Sequence, residues 1–545
     1  MKKIIFLLFA GLVTLMLVAC GGEELNVRAS FPTGNIELNG TSITFSVSLI
    51  DPDLLLPEHQ ITISIEGNNA VTPIVEDAWL RVPRTFTFEG LTPGTTYTVV
   101  VETDLPEEGN VRLASREFTT AEVGRAEDVP IMITNAEEFF DMANAENGTF
   151  FELANNINFE GAQAPVMFNA NRRFTHHFNG AGFALQNLNQ TADEHVSGAY
   201  ISIFGFIRNG SIRNLVLDGI TIDNRSNPGN TAVYAGILAS RIDSIDAVIE
   251  NITIKNSALL VRHNQRSTAD GWTNVANNRS LFLGTVVGAA QGTIRDITIY
   301  DTQVEVTMSN LMQGLTAIAG VHIGGAIGLI EQNRGREFSN FDVNIDLEVN
   351  INSNRVPGQS RLNIGGVVGF HRGMDRHGEV ALESAVVRGT VALNISMNDD
   401  SSAGAPWIAV GGFIGSVDAQ QIMRDVVVMN DVSVTFASNS TNVLDGRLRI
   451  GSIIGWTLQH NNSFQRVVSF NQTSVLNAST TTSNYNFELM NTSRTINHSN
   501  ISVRTLNSTL SFNSATVVSA FETLDGSITD FIASQWVLDI LATIL

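Results

Sequence analysis

Apolar and polar residues alternate over long stretches of this 545-residue chain. In "SITFSVSLID", Ile43, Phe45, Val47 and Leu49 share one side and small polar residues the other, the period-two pattern of a half-buried strand. Tyr97, Val99 and Val101 alternate in the same way after the turn residues Pro93 and Gly94. Further on, short apolar runs are framed by glycine. "LGTVVG", "GGAIG", "GGVVG", "GGFIG" and "GSIIG" end at Gly288, Gly328, Gly369, Gly415 and Gly455, with weaker copies around Gly205 and Gly236. The clear copies are 40, 41, 46 and 40 residues apart, and such self-similarity marks a repeat architecture.

A second motif recurs between the glycine runs, as in "IRNLVLDGITI", "IENITIKNSALLV" and "IRDITIYDTQVEV". It puts Asn214, Asn251, Asp296, Asn340 and Asp425 at one equivalent position. Each unit predicts a short strand at the glycine motif, a turn, a second strand, a bend, a third strand and a loop. Such a coil cannot bury its apolar face alone, but stacked coils can, each strand pairing with its equivalent one coil away. The spacing predicts a parallel β-solenoid. Glycine at the strand ends permits a tight corner with positive φ, and the Asn/Asp series is expected to stack inside a turn and bond to backbone there. A phosphate-cradling loop is excluded, because no Lys-Ser/Thr pair follows the glycines.

The start of the repeat region, "PIMITNAEEFFDMANAENGTFFELANNINFEG" followed by "FNGAGFALQNLN", resembles bacterial surface β-helices with GLUG-type repeats. That resemblance implies a right-handed parallel β-helix over residues 127–545 with a short N-terminal capping helix. The helix is expected over residues 136–145, capped by Asn135 or Thr134 and carrying Glu137 and Glu138 in its first turn. Phe151, Leu153 and Ile157 would open the first coil. Residues 26–121 resemble a fibronectin type III module. There the resemblance implies that the Tyr97 hydroxyl is tied to nearby backbone. The family's early-strand tryptophan is missing, so a looser immunoglobulin-like sandwich stays open. The expected fold class is all-β: a sandwich, then a solenoid.

Composition narrows the partners. The net charge of −22 argues against nucleic acid, whose phosphates would be repelled. Lysine occurs only at Lys2, Lys3 and Lys255. The opening "MKKIIFLLFAGLVTLMLVACGG" has a positive start and an apolar run, and reads as a secretory signal. It ends in "LVAC", which resembles a bacterial lipobox. The resemblance implies a signal peptide over residues 1–19, a lipid on Cys20, and a tether to residue 25. Cys20 is the chain's one cysteine, so no intrachain disulfide can form. Two acyl chains hold a protein stably on a membrane. The expected place is extracytoplasmic, anchored to the cell membrane or an outer membrane. The apolar stretch at residues 531–545 is too short to span a bilayer and reads as a packed cap.

Candidate chemistry is sparse. The histidines form no zinc-binding HExxH helix. His176 and His177 read as a solvated turn, and Asp375 with Glu379 as surface charges rather than a hydrolytic carboxylate pair. No catalytic residue, metal or cofactor is expected. The loops between third strand and next glycine motif are more suggestive, since loops on one face of a solenoid tend to form its binding face. Trp272 and Trp407 sit on equivalent loops three repeats apart, roughly 14 Å along the axis at about 4.8 Å per coil. With Arg262, Asp270 and Asp399 at the rim, they form a candidate glycan edge. Trp456, beside a strand, reads as packing. Three functions remain open. The first is a surface binding or adhesion module for polysaccharide or a host or cell-surface glycan; the others are a β-helix polysaccharide lyase or glycoside hydrolase, and a purely structural envelope protein.

Overall fold

The computed structural model describes residues 26–523, apart from residues 53, 55, 57, 69, 80–81, 107, 193–199, 225–231, 265–279, 310–319, 332–335, 354–360, 373–379, 398–406, 419–420, 437–447, 458–462, 470–471, 477–485, 493–514 and 520–521. The chain divides into two compact units, Met1–Val129 and Pro130–Leu545.

The first unit has eight strands: β1 (Arg28–Ser30), β2 (Glu37–Leu38), β3 (Ile43–Ile50), β4 (Gln60–Ile65), β5 (Ile74–Asp77), β6 (Arg84–Phe88), β7 (Thr96–Leu105) and β8 (Gly109–Thr119). One antiparallel sheet joins β1, β2 and β6 to β3, and the other runs β5-β4-β7-β8. Ile43, Phe45 and Val47 are buried with Ile61, Ile63, Val99 and Val101 in a single core, as their alternation requires. Trp79, just past β5, is buried and donates its Nε1–H to the Val47 carbonyl at 3.3 Å. The Tyr97 hydroxyl accepts from the Thr92 N–H at 2.8 Å. Asp128 accepts from the Gly40 and Thr41 N–H groups and the Thr41 hydroxyl, each at 2.8 Å. Burial raises its pKa, but these bonds outweigh burial and hold it below the ordinary carboxylate value.

The second unit opens with Ile131–Ile133 and helix α1 (Ala136–Asp141), which runs on into a 3₁₀ turn, Met142–Asn144. Asn135 is the cap, its Oδ1 accepting from the Glu138 N–H at 3.0 Å. The Glu138 carboxylate reaches back to accept from the Thr134 N–H at 2.7 Å, one residue before the cap, so the Asn135–Glu138 bond and its return fasten the helix entry from both sides. Phe139 is fully buried beneath the helix.

Coils then stack in parallel register. In each, the glycine motif is a corner between two short strands. The first arm comprises Val233–Ala235, Leu281–Leu283, Val321–Gly324, Arg361–Gly365 and Trp407–Gly411. The second comprises Ala239–Ile242, Val287–Ala290, Ile327–Ile330, Val368–Arg372 and Ile414–Asp418. Leu448–Thr457 runs through both arms. A long bent stretch completes each coil, such as Thr293–Ser309, Glu337–Ser353 and Val380–Met397. Ile249, Ile294, Phe338, Leu382 and Met423 follow one another in register through the interior, all fully buried. Burying a side chain of this size contributes about 1.5–3 kcal/mol, and the column repeats at every inward position.

Two corner expectations are corrected. The glycines are needed for space rather than for positive φ: Gly365, Gly366 and Gly369 all have ordinary φ. A Cβ on Gly369 would lie 2.6 Å from the Ile323 nitrogen and the Gly328 carbonyl oxygen, because the two arms press backbone on backbone. Positive φ falls instead on the Asn/Asp series, at Asn214, Asn251, Asp296, Asn340, Ser384 and Asp425. Asn and Asp tolerate this left-handed conformation better than other side-chain-bearing residues. The ladder they form is at the surface and runs side chain to side chain. Asn251 Nδ2 donates to Asn214 Oδ1 at 2.8 Å, and Asn340 Nδ2 to Asp296 Oδ1 at 2.7 Å.

The histidine pair is not a solvated turn. His177 begins the strand His177–Asn179, stacks on Phe150 at 4.4 Å and hydrogen-bonds the Ser211 hydroxyl at 2.9 Å through Nδ1. His176 is buried among Phe151, Phe168 and Phe174, ring centroids 5.4–6.0 Å away, all edge-on. Burial, with a smaller push from His177, lowers its pKa to about 4. The unfolded chain therefore binds more protons than the folded one between pH 6.5 and about 4. Stability is full above pH 6.5 and falls through that window, by about 3 kcal/mol in all. A urea titration should show this slope, and His176→Phe should flatten it. An equal slope in both proteins would place the acid sensitivity elsewhere.

Candidate functional site

The first candidate is a polar trough of about 630 Å³ at the second bend of three successive coils. Asn256, Asp301, Gln303, Asn344 and Asp346 line it. Asn256 and Asp301 take positive φ there, which turns their side chains out of the strand run. Asn256 Nδ2 donates to Asp218 Oδ1 at 2.8 Å, and the Thr390 hydroxyl donates to Asp346 Oδ1 at 2.8 Å. Lys255 Nζ lies 3.5 Å from Asp218. Burial raises the Asp218 pKa, but hydrogen bonds from Asn256 and Gln186, with the Lys255 charge, carry it below the ordinary value. The trough offers amides, hydroxyls and carboxylates, the groups that pair with sugar hydroxyls. Sequence reading missed it, although a signal is present: an Asx–Ser/Thr pair recurs at the bend, Asn256-Ser257 and then Asp301-Thr302.

The second candidate is the seam between the two arms. One row of side chains in register runs Tyr200, Tyr234, Phe282, His322, Asn363, Ala409, Arg449. The facing row runs Phe206, Arg241, Ala289, Leu329, Phe370, Ser416, Trp456. The middle is apolar, with Tyr234, Phe282, Ala289, Leu329 and Phe370 forming a core of their own. Tyr200 and Tyr234 stack at 5.3 Å, Tyr234 and Phe282 at 4.9 Å, and His322 packs on Phe370 at 4.7 Å. At both ends two arginines lie over one aromatic ring. Arg173 and Arg241 lie over the Phe206 ring at 4.9 and 5.6 Å, and Arg361 and Arg449 over the Trp456 ring at 5.2 and 5.7 Å. At the near end Arg241 donates to the Tyr234 hydroxyl and to Glu331, both at 3.2 Å, and Gln291 donates to Glu331 at 2.7 Å. Burial pushes the Tyr234 hydroxyl up to about 12 despite the Arg241 charge, so it stays protonated at any physiological pH. At the far end burial lowers the Arg361 pKa, partly offset by Asp418.

Of the residues singled out from sequence, Cys20, Asp270, Trp272 and Asp399 lie outside the described residues, as do Asp375 and Glu379. Arg262 is exposed near the end of the strand Ala258–Asn264, where the chain enters residues 265–279. Trp407 is the first residue of a first-arm strand rather than part of a loop, and lies in register with Arg361. Gly288, Gly328, Gly369 and Gly415 occupy successive coils. Trp456 is buried in the seam. Among the described residues no group of three or more His, Cys, Asp and Glu side chains could hold a metal ion, and no helix is long and apolar enough to cross a membrane.

No family model matches this chain, and no curated protein does. Among solved structures it is similar to a pectate lyase from Erwinia chrysanthemi at 8% identity, over 83% of this chain and 90% of that one, with a TM-score of 0.16. A pectate lyase from Pectobacterium carotovorum gives 9% identity over 81% and 90%, with a TM-score of 0.12. At such scores the likeness bears on neither activity nor substrate.

Proposed function

We propose that this chain is an exported, lipid-anchored binding module whose solenoid takes an extended glycan. In this reading Cys20 carries the lipid, the fibronectin type III-like sandwich is a spacer, and the right-handed, GLUG-type β-helix is the display surface. The trough supports it most directly. Three coils each contribute polar side chains to one continuous depression, about 10 Å from first coil to third, a length that suits two sugar rings. The edge bearing Trp272 and Trp407, with Arg262, Asp270 and Asp399, is a second contact for the same polymer. The second reading is glycan hydrolysis, favoured by one observation: Asp301 and Asp346 bring two carboxylates to the same trough.

The test is a glycan array probed with the Cys20→Ser form, which lacks the thiol for acylation, followed by assay of each bound glycan for chain cleavage. Asp301→Ala/Asp346→Ala should weaken binding about tenfold, the loss of one or two hydrogen bonds to a charged group. If Trp272→Ala/Trp407→Ala weakens it instead, the loop edge is the site. Cleavage abolished by Asp301→Ala would favour the hydrolase. An array with no bound glycan would sink both and leave the structural envelope role.

A further inference from the structure

In a chain of net charge −22, three arginines are brought together locally in the first coils. Arg173, Arg208 and Arg241 gather there around Asp243, and Arg241 also reaches Glu331. The spacing follows from the coil stack. Phe174 bridges to Ile207, and Ile207 pairs with Ile242, so Arg208 and Asp243 are neighbours on successive coils with Arg173 beside them. The cluster is poorly knit. Asp243 lies 3.7 Å from Arg173 Nη1 and 3.7 Å from Arg208 Nε, beyond hydrogen-bond reach of both. Its Oδ1 is buried with no hydrogen-bond partner, and so are Arg173 Nε and Arg241 Nε. Arg208 is half exposed and Arg173 about a third. Beside them the partly exposed Tyr200 stacks on Phe206 at 5.1 Å, continuing the aromatic seam to the surface.

We infer that this cluster binds an anionic polysaccharide, with Arg173 and Arg208 taking its carboxylate or sulfate oxygens and the Tyr200 ring packing against a sugar. A guanidinium fork pairs two N–H groups with two oxygens of one anion, the strongest pairing left to these side chains. The occupant carries sparse charge. A dense polyanion would be repelled by the rest of the chain, whereas one anionic group per ring or two matches two adjacent arginines about 4.8 Å apart along the axis. The site is separate from the trough, where Asp301 and Asp346 would repel such a ligand, and it does not depend on the trough's role.

Dextran, and carboxymethyl-dextran and dextran sulfate each substituted to about one charged group per two rings, share one backbone and separate the terms. The full chain in detergent should bind the two charged polymers and not dextran, with affinity falling as salt rises. Arg173→Gln/Arg208→Gln should lose at least tenfold, and the half-exposed Arg208→Gln alone keeps the test open if the double variant fails to fold. Asp243→Asn, which removes the competing negative charge and keeps its shape, should bind a few-fold more tightly. Preference for carboxymethyl-dextran or for dextran sulfate assigns the anion. The inference is overturned if the arginine variants bind as the parent does, if Asp243→Asn weakens binding, or if dextran or a single-stranded oligonucleotide binds as well. Charged-polymer binding with an empty neutral-glycan array would keep this site and remove the trough.

Discussion

Gly369→Ala should cost about 3 kcal/mol or more, although it adds a single methyl group. That methyl would sit 2.6 Å from the Ile323 nitrogen and the Gly328 carbonyl oxygen and 2.8 Å from the Ile323 carbonyl carbon. All three are backbone atoms held in the stacked ladders, so no side chain can swing aside, and overpacking that cannot relax falls at the upper end of its usual range. The constraint repeats along the axis. A Cβ at Gly288, Gly328, Gly415 or Gly455 would also come within 2.4–2.6 Å of facing or neighbouring backbone. Gly34 is the control, with nothing within 4 Å of a built Cβ and an ordinary φ. Gly34→Ala should leave the urea midpoint where it is, while Gly369→Ala lowers it. Equal midpoints would mean that the arms stand further apart than they do here.

Much of the solenoid is legible in the sequence because one constraint is written several times over. Glycine returns wherever the arms touch, and Asn or Asp wherever the backbone must take positive φ. The period was therefore readable, but the two constraints were exchanged. Steric closeness and left-handed φ both select glycine, and only the facing backbone distinguishes them. Ser384 shows the limit of reading by residue type: it holds the same left-handed position as Asn340 and Asp425, yet a serine in an apolar strand gives no sign of it. The trough was missed because its residues lie about 45 positions apart and meet only through coil stacking. The arginine cluster was missed for a similar reason. Arg173, Arg208 and Arg241 come from three coils, and the first coils carry the weakest copies of the repeat. In the first unit the core was recoverable from alternation, but Trp79 was not, since it enters the core from beyond β5, outside any alternating run.

Phe139→Ala should open the solenoid from its N-terminal end. The ring is fully buried beneath α1 and meets Phe159, Phe178 and Phe204 edge-on at 5.5, 6.1 and 5.9 Å. These three come from separate parts of the first coils, so one side chain closes the end of the stack that has no earlier coil to cover it. Truncating a buried phenylalanine costs about 3–5 kcal/mol. In a stacked array each coil is stabilised chiefly by its neighbours, so the loss should be felt locally before it is felt globally. Amide exchange should quicken first between Phe150 and Ile207, while the strands from Thr293 to Met397 keep their protection. Phe140, on the same helix but only partly buried, should give a smaller and less directional effect when changed to alanine. Uniform loss of protection along the whole solenoid, or equal effects from the two phenylalanines, would show that the helix rides on the stack without closing it.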